Sequence, residues 1–288
     1  MKKTSLLISL VLVLSHLLHA AEKLPKVYLN RVGIVVDDVT FNGIVKSAFM
    51  TKKFARVDAG LPKFIPPADT SNVLYVVGKN TQVEIYSVNN PYGLKEGQVG
   101  IGFAVEQING AKQLFDSLSK NKDAQLFFAT DSANINGIKV AEKQVLSLRD
   151  PGENINLTYG VTEYLPDVMQ ALFKQNFKSK PVKRSDFLKK RYNTDKLFSD
   201  IMEISLQLSK TETTAFIEAL KKLDFNVSEK NNNYVAKGND IVIRVKVSEE
   251  VMPKLQLKFK MNAPKDGNYN LNNSKLEFDG TYGTWNFY

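Results

Sequence analysis

The sequence predicts an α+β fold of paired βαβββ modules, and three observations carry that prediction. Stretches with the two-residue period of strands and stretches with the 3.6-residue period of helices follow one fixed order: strand, helix, three strands. That order occurs twice between residues 27 and 165, at a spacing of about 70 residues. Aligning Val36 with Val105 lays IVVDDVTFNGIVKSAF over FAVEQINGAKQLFDSL, the internal repeat that such a duplication leaves.

The first module, 27–88, opens on Val27–Val36, whose continuous apolar second half fits a strand covered on both faces. Asp37 and Asp38 end it. Asp38 is placed to cap a helix starting near Val39, with Phe41, Ile44, Val45 and Ala48 at helical spacing. Phe54–Asp58 reads as a short strand and 61–67 as a Pro-rich loop. Strands 72–77 and 82–88 join through the turn Gly78-Lys-Asn-Thr81. The second module, 97–165, has strand 98–105, a helix carrying Ile108, Ala111, Leu114, Phe115 and Leu118, then strands 124–130, 140–148 and 155–164. A third, divergent βαβββ-like module is expected over 192–288. It has strand 201–208, a helix from Thr211, strands 234–237, 241–247 and 255–261, and a terminal hairpin from 276–278 and 284–287.

The net charge of +9 has one address. Residues 22–173 carry sixteen basic and sixteen acidic side chains, and 192–288 carry thirteen of each. The linker Lys174–Arg191 holds eight basic residues and one acidic one. A solvated connector with a short helix after Pro181 accounts for it. The functional reading is contact with an anionic surface. Nucleic acid is not expected, because no aromatic platforms interleave the charges.

Both histidines, His16 and His19, lie in the first twenty residues, and cysteine is absent. Residues 1–21 read as a signal peptide, with Lys2 and Lys3 before the apolar run 6–18 and Ala20-Ala21 as the processing point. The expected mature chain is secreted or periplasmic and without a transmembrane span. It has no imidazole and no thiol, which excludes Ser-His-Asp and Cys-His nucleophiles and any zinc or iron site built on His or Cys. Stability must come from a packed core rather than disulfides.

The paired modules opening with LNRVGIVVDD and GQVGIGFAVEQINGAKQLFDSL resemble the vicinal oxygen chelate (glyoxalase/bleomycin-resistance/dioxygenase) superfamily, and more narrowly its secreted bacterial glyoxalase-like proteins. The resemblance covers residues 27–170, with a weaker echo to 288. It implies a half-open barrel over 27–173, with metal ligands on the first and last strands of each module. Carried over residue by residue, those positions fall on Arg31, Glu84, Gly100 and Glu163. Arg31 is a permanent cation and Gly100 has no side chain, so both first-strand ligands are lost and two carboxylates remain. With waters those two could hold Mg²⁺ or Ca²⁺ only weakly, and no cofactor is expected. A guanidinium at Arg31 between Glu84 and Glu163 could instead be a structural ion pair or present donors to an anionic ligand. In the third module the same register gives Glu203 and Arg244, a second pair with the signs exchanged.

Other features have simpler explanations. Tyr75, Tyr86, Phe103, Phe127, Phe128, Tyr159 and Tyr164 are core aromatics, or in part the lining of a cleft. Asp37 and Asp38 point to opposite faces, which argues against an acid/base pair. Gly97–Gly102 lacks the Lys-Ser/Thr of a phosphate loop, and Trp285 anchors the last hairpin. A metal-free protein binding a small molecule or protein partner is the expected function. The alternative is a lyase, isomerase or dioxygenase using Glu84 and Glu163.

Overall fold

The computed structural model describes residues 24–60, 64–120, 125–149, 156–250 and 252–288; the expected signal segment 1–21 lies outside them. The first module comprises β1 (Val27–Val36), α1 (Asp38–Lys46), a π-helical turn (Met50–Phe54), β2 (Arg56–Asp58), β3 (Val73–Val77) and β4 (Gln82–Ser87). Because α1 carries the chain back along the sheet, β4 lies parallel to β1. The cap of α1 is Asp37 rather than Asp38. The Asp37 carboxylate accepts the Thr40 amide at 2.9 Å and the Thr40 hydroxyl at 2.7 Å, because β1 runs to Val36 and the helix begins at Asp38.

The second module repeats the order with β5 (Val99–Val105), α2 (Gly110–Leu118), β6 (Phe127–Ile135), β7 (Ile138–Ser147) and β8 (Leu157–Tyr164). Strands β6 and β7 run further toward their turn than the periodicity suggested. Asn136 and Gly137 both take positive φ there, the conformation of a tight type I′ hairpin. The modules join edge to edge through antiparallel β1 and β5. The resulting eight-stranded sheet runs β2-β3-β4-β1-β5-β8-β7-β6 and leaves β2 and β6 as its edges, a half-open α+β arrangement.

Two helices, α3 (Pro166–Phe173) and α4 (Arg184–Leu188), lead to a second eight-stranded sheet. Here β9 (Phe198–Leu208), α5 (Lys210–Lys222), β10 (Asn226–Lys230), β11 (Asn233–Lys237) and β12 (Val242–Val247) repeat the βαβββ order, with β12 parallel to β9. The C-terminal region is larger than one divergent module. A further half, β13 (Lys254–Met261), β14 (Gly267–Leu271), β15 (Ser274–Asp279) and β16 (Tyr282–Phe287), pairs with β9 through β13. It has no helix. The loop 262–266 turns the chain back directly, so β16 lies antiparallel to β13 where the other modules have a parallel pair.

The helix-bearing faces of the two sheets pack on each other and share one core. Phe54 lies 5.6 Å from Phe198, 5.4 Å from Phe259 and 5.6 Å from Trp285, while Phe103 meets Phe225 at 5.4 Å. Such aromatic contacts contribute large buried areas plus edge-to-face attraction. Asp200 of β9 accepts the Asn80 and Thr81 amides at 2.7 and 3.0 Å, tying the β3–β4 turn to the second sheet. The basic linker is only partly a solvated connector. Arg184 is buried against Glu106 at 3.0 Å and Asp240 at 2.7 Å, and Arg191 against Asp58 at 3.0 Å.

Candidate functional site

Strand parity decides what the other face of the first sheet presents. In β1 a register shift between Leu29 and Arg31 puts Val32, Ile34 and Val36 in the core, and Arg31, Gly33 and Val35 on the opposite face. The same alternation turns Gln82, Glu84 and Tyr86 of β4, Gly100 and Gly102 of β5 and Thr158 and Thr162 of β8 toward a common cleft. One half of the cleft, about 240 Å³, lies over the glycines; the other, about 580 Å³, is walled by aromatic side chains. Arg31 and Glu84 line both halves.

The glycines make the room Arg31 occupies. A Cβ at Gly102 would sit 2.7 Å from Arg31 Cγ, so any larger residue there displaces the arginine. Gly33 faces the Tyr86 ring in the same way, at 3.3 Å. Arg31 Nε stands 3.7 Å from Glu84 Oε1, an ionic contact beyond hydrogen-bond length, with 25% of the arginine side chain exposed. The Glu84 oxygens are engaged elsewhere: Gln82 Nε2 donates to Oε1 at 2.7 Å and the Tyr86 hydroxyl to Oε2 at 2.5 Å. Among the described residues, the Arg31 guanidinium makes no hydrogen bond.

These charges set the protonation of their neighbours. Burial pushes the Arg31 pKa down, but Glu84, with Tyr164, Tyr86 and Glu142, outweighs it and the net shift is upward. Burial, then the negative charge of Glu84, pushes the Tyr86 and Tyr75 phenols well above their usual range. The cleft phenols therefore stay protonated and can donate.

Glu163 does not join this group. It lies on the helix face of β8, where Oε1 accepts the Asn109 amide at 2.8 Å and Oε2 the Ala111 amide at 3.0 Å at the start of α2. Burial raises its pKa, and the amides of α2's first residues oppose that rise. The expected Arg31–Glu84–Glu163 cluster is not assembled, nor is a Glu84/Glu163 catalytic pair. A one-residue difference in strand position exchanges faces, so Thr162 and Tyr164 take the cleft side. In the second sheet, Arg244 Nε lies 2.9 Å from Glu203 Oε1, on the exposed face and with the arginine side chain half exposed.

The metal set implied by the resemblance does not fit this cleft. Of its four positions, Arg31 carries a fixed cation, Gly100 has no side chain and Glu163 faces away. Glu84 alone remains, held by Gln82, Tyr86 and the nearby guanidinium. The cleft's other carboxylate, Glu142, lies 3.5 Å from Lys143 Nζ. Among the described residues no three carboxylates or imidazoles gather at metal-binding distance.

Several lining residues escape sequence reasoning. Phe64 and Phe187 come from the loop after β2 and from α4, far apart in sequence, and Phe187 stacks on Tyr164 at 4.4 Å. Gly100 and Gly102 did leave a signal. Small residues at i and i+2 between Val99, Ile101 and Phe103 empty one strand face while filling the other. Of the seven aromatics, Tyr75, Tyr86 and Tyr164 line the cleft's aromatic half, Phe103 and Tyr159 pack in the core with Phe128 partly buried against it, and Phe127 is exposed.

A family model described as "Family of unknown function (DUF5829)" matches residues 29–287. No curated protein matches the chain. Among solved structures, a hypothetical protein from Staphylococcus aureus is 12% identical, with TM-score 0.48 over 77% of this chain and 86% of that one. A variant of homoprotocatechuate 2,3-dioxygenase from B. fuscum is 11% identical, with TM-score 0.41 over 79% of this chain and 55% of that one. The Mn(II)-bound glyoxalase from Novosphingobium aromaticivorans is 16% identical, with TM-score 0.40 over 76% of this chain and 62% of that one. The chain thus spans little more than half the length of the dioxygenase and under two thirds of the glyoxalase.

Proposed function

The chain belongs to the family of unknown function DUF5829, and from that premise we propose that it is a secreted or periplasmic binding protein whose glyoxalase-like cleft holds a small molecule without a metal. The observation that carries this reading is the cleft itself. Its aromatic half has a volume within the roughly 300–1,000 Å³ of small-molecule sites and combines apolar walls with a few convergent polar groups. At its centre stands the Arg31 guanidinium, where the resemblance would put a metal ligand, and a fixed cation there disfavours a bound metal ion. The N-terminal residues support export: a basic start, a short apolar run and a small-residue processing point. Native mass spectrometry with elemental analysis, on protein isolated from the bacterial envelope, tests the proposal. A retained organic ligand at unit stoichiometry without stoichiometric metal supports it. Stoichiometric metal lost on Glu84→Ala overturns it.

One further observation favours an accessory contact. Lys174, Lys178, Lys180, Lys183, Lys189 and Lys190 of the linker are exposed, and none pairs with a carboxylate of a described residue. Each lysine beside an anionic lipid surface contributes about 1 kcal/mol, screened by salt. Co-sedimentation with phosphatidylglycerol vesicles that fades with added salt is the expected result. Binding indifferent to salt, or none, removes this reading.

A further inference from the structure

We propose that the ligand of this cleft is a small aromatic monocarboxylate, its carboxylate held by Arg31 and its ring laid against the cleft tyrosines. The inference rests on the cleft being the binding site and names the class of molecule it takes.

The argument starts from donors without acceptors. A guanidinium presents five N–H groups in a planar fork, and those of Arg31 are not sealed in the core but lie at the lining of the cleft. Arg31 is three-quarters buried, yet its one ionic contact is 3.7 Å from Glu84 through Nε. Glu84 does not supply a bidentate partner, because Gln82 and Tyr86 already orient its two oxygens. The Nη edge of Arg31 is therefore the cleft's unmatched recognition element. A planar carboxylate matches it with two parallel hydrogen bonds.

Local charge sets the ligand's valence. Arg31 faces Glu84, and Lys143 faces Glu142 at 3.5 Å, so the cleft carries no excess positive charge. A dianion would meet two fixed carboxylates after satisfying one guanidinium. A single carboxylate satisfies that guanidinium and adds the least repulsion.

Shape sets the rest of the molecule. Tyr75, Tyr86, Tyr92 and Tyr164 wall the larger half, with Phe64 and Phe187. The glycines at 33 and 102 let the Tyr86 ring and the Arg31 stem lie close against the sheet, which sets both side chains beside the larger half of the cleft. The protonated Tyr75 phenol offers a hydrogen bond to a ring substituent without adding negative charge, while the Tyr86 proton is already given to Glu84.

The test compares an isosteric pair, 2-naphthoate and 2-naphthamide, by calorimetry on the full mature chain. Wild type is expected to bind the acid at least about tenfold more tightly than the amide, the value of charge-assisted hydrogen bonds. Arg31→Gln should lower affinity for the acid roughly 10- to 100-fold and leave that for the amide within about twofold. Gly102→Ala keeps every charge but places a Cβ 2.7 Å from Arg31 Cγ, and it should weaken the acid selectively as well. It carries the test should Arg31→Gln fail to fold, as judged by its melting curve. Equal binding of acid and amide, or an acid-to-amide ratio unchanged in both variants, overturns the carboxylate while leaving small-molecule binding in place. If neither compound binds and neither shifts the resonances of the cleft tyrosines, the carboxylate class falls and the cleft reading falls with it.

Discussion

Removing the charge of Asp58 should cost this protein more than removing its partner Arg191, although the two form one buried pair. Arg191 is 1% exposed and makes a single hydrogen bond through Nε to Asp58 Oδ2 at 3.0 Å. Its Nη1 and Nη2 atoms are buried without a partner, and burial pushes the guanidinium pKa down against the pull of Asp58. Asp58, by contrast, has a second cation, with Arg56 Nε at 2.9 Å on the solvent side. In Asp58→Asn the buried guanidinium loses its counter-charge, which typically costs about 3–5 kcal/mol. Arg191→Met keeps the stem volume and loses one hydrogen bond and the stacking on Phe64 at 4.3 Å, about 0.5–2 kcal/mol for the latter. It also removes two unmet donor groups, each carrying a penalty of about 1–3 kcal/mol. The terms nearly cancel, so Arg191→Met should lie within about 2 kcal/mol of wild type. Urea unfolding at pH 7 measures both variants and the double variant, in which much of the Asp58→Asn loss should be recovered. The reasoning is refuted if Arg191→Met is the costlier change, or if the two losses simply add.

Three further outcomes are expected. Phe54→Ala, at the aromatic seam between the sheets, should cost about 3–5 kcal/mol and lower a single melting transition; two separated transitions would show that the sheets do not share a core. Glu163→Ala frees the Asn109 and Ala111 amides at the start of α2, so chemical denaturation should show a loss of about 1–3 kcal/mol; calorimetry should show cleft binding unchanged, and a binding defect would contradict its placement on the helix face. Asp37→Ala should cost about 0.5–2 kcal/mol at pH 7 through the lost cap. Burial raises the Asp37 pKa, but hydrogen bonds from Thr40 and Asn273 outweigh it, and the folded value lies below 3.8. The cap's stabilisation is therefore full above pH 3.8 and lost as pH falls through the folded pKa. Denaturation across that range should show the variant and wild type converging in acid.

Much of the fold is legible because its signals are local. The seven hydrophobic β formers among the ten residues of Val27–Val36, the spacing of Phe41 and Ile44, and the repeat of the whole order are all read along the chain. Asn136-Gly137 was equally local, a tight-turn pair that accounts for the longer β6–β7 hairpin. β10 and β14 left weaker marks. Both are short and polar, and they form as the outer strands of the second sheet through pairing with β11 and β15.

Reading the residues in order is enough to establish that no imidazole or thiol lies beyond residue 19 and that βαβββ modules recur. Those are statements of residue identity and period, which need no partner in space. Only the tertiary structure decided which carboxylate faces the cleft. Glu84 and Glu163 look alike in sequence, yet side chains alternate along a strand, and the position of β8 against α2 sends Glu163 to cap that helix. It likewise decided that Arg184 and Arg191, two cations of a basic run, leave solvent to meet Glu106, Asp240 and Asp58. Burial of a charge depends on a counter-charge brought from elsewhere in the chain, and the spacing of residues along the chain does not encode that meeting.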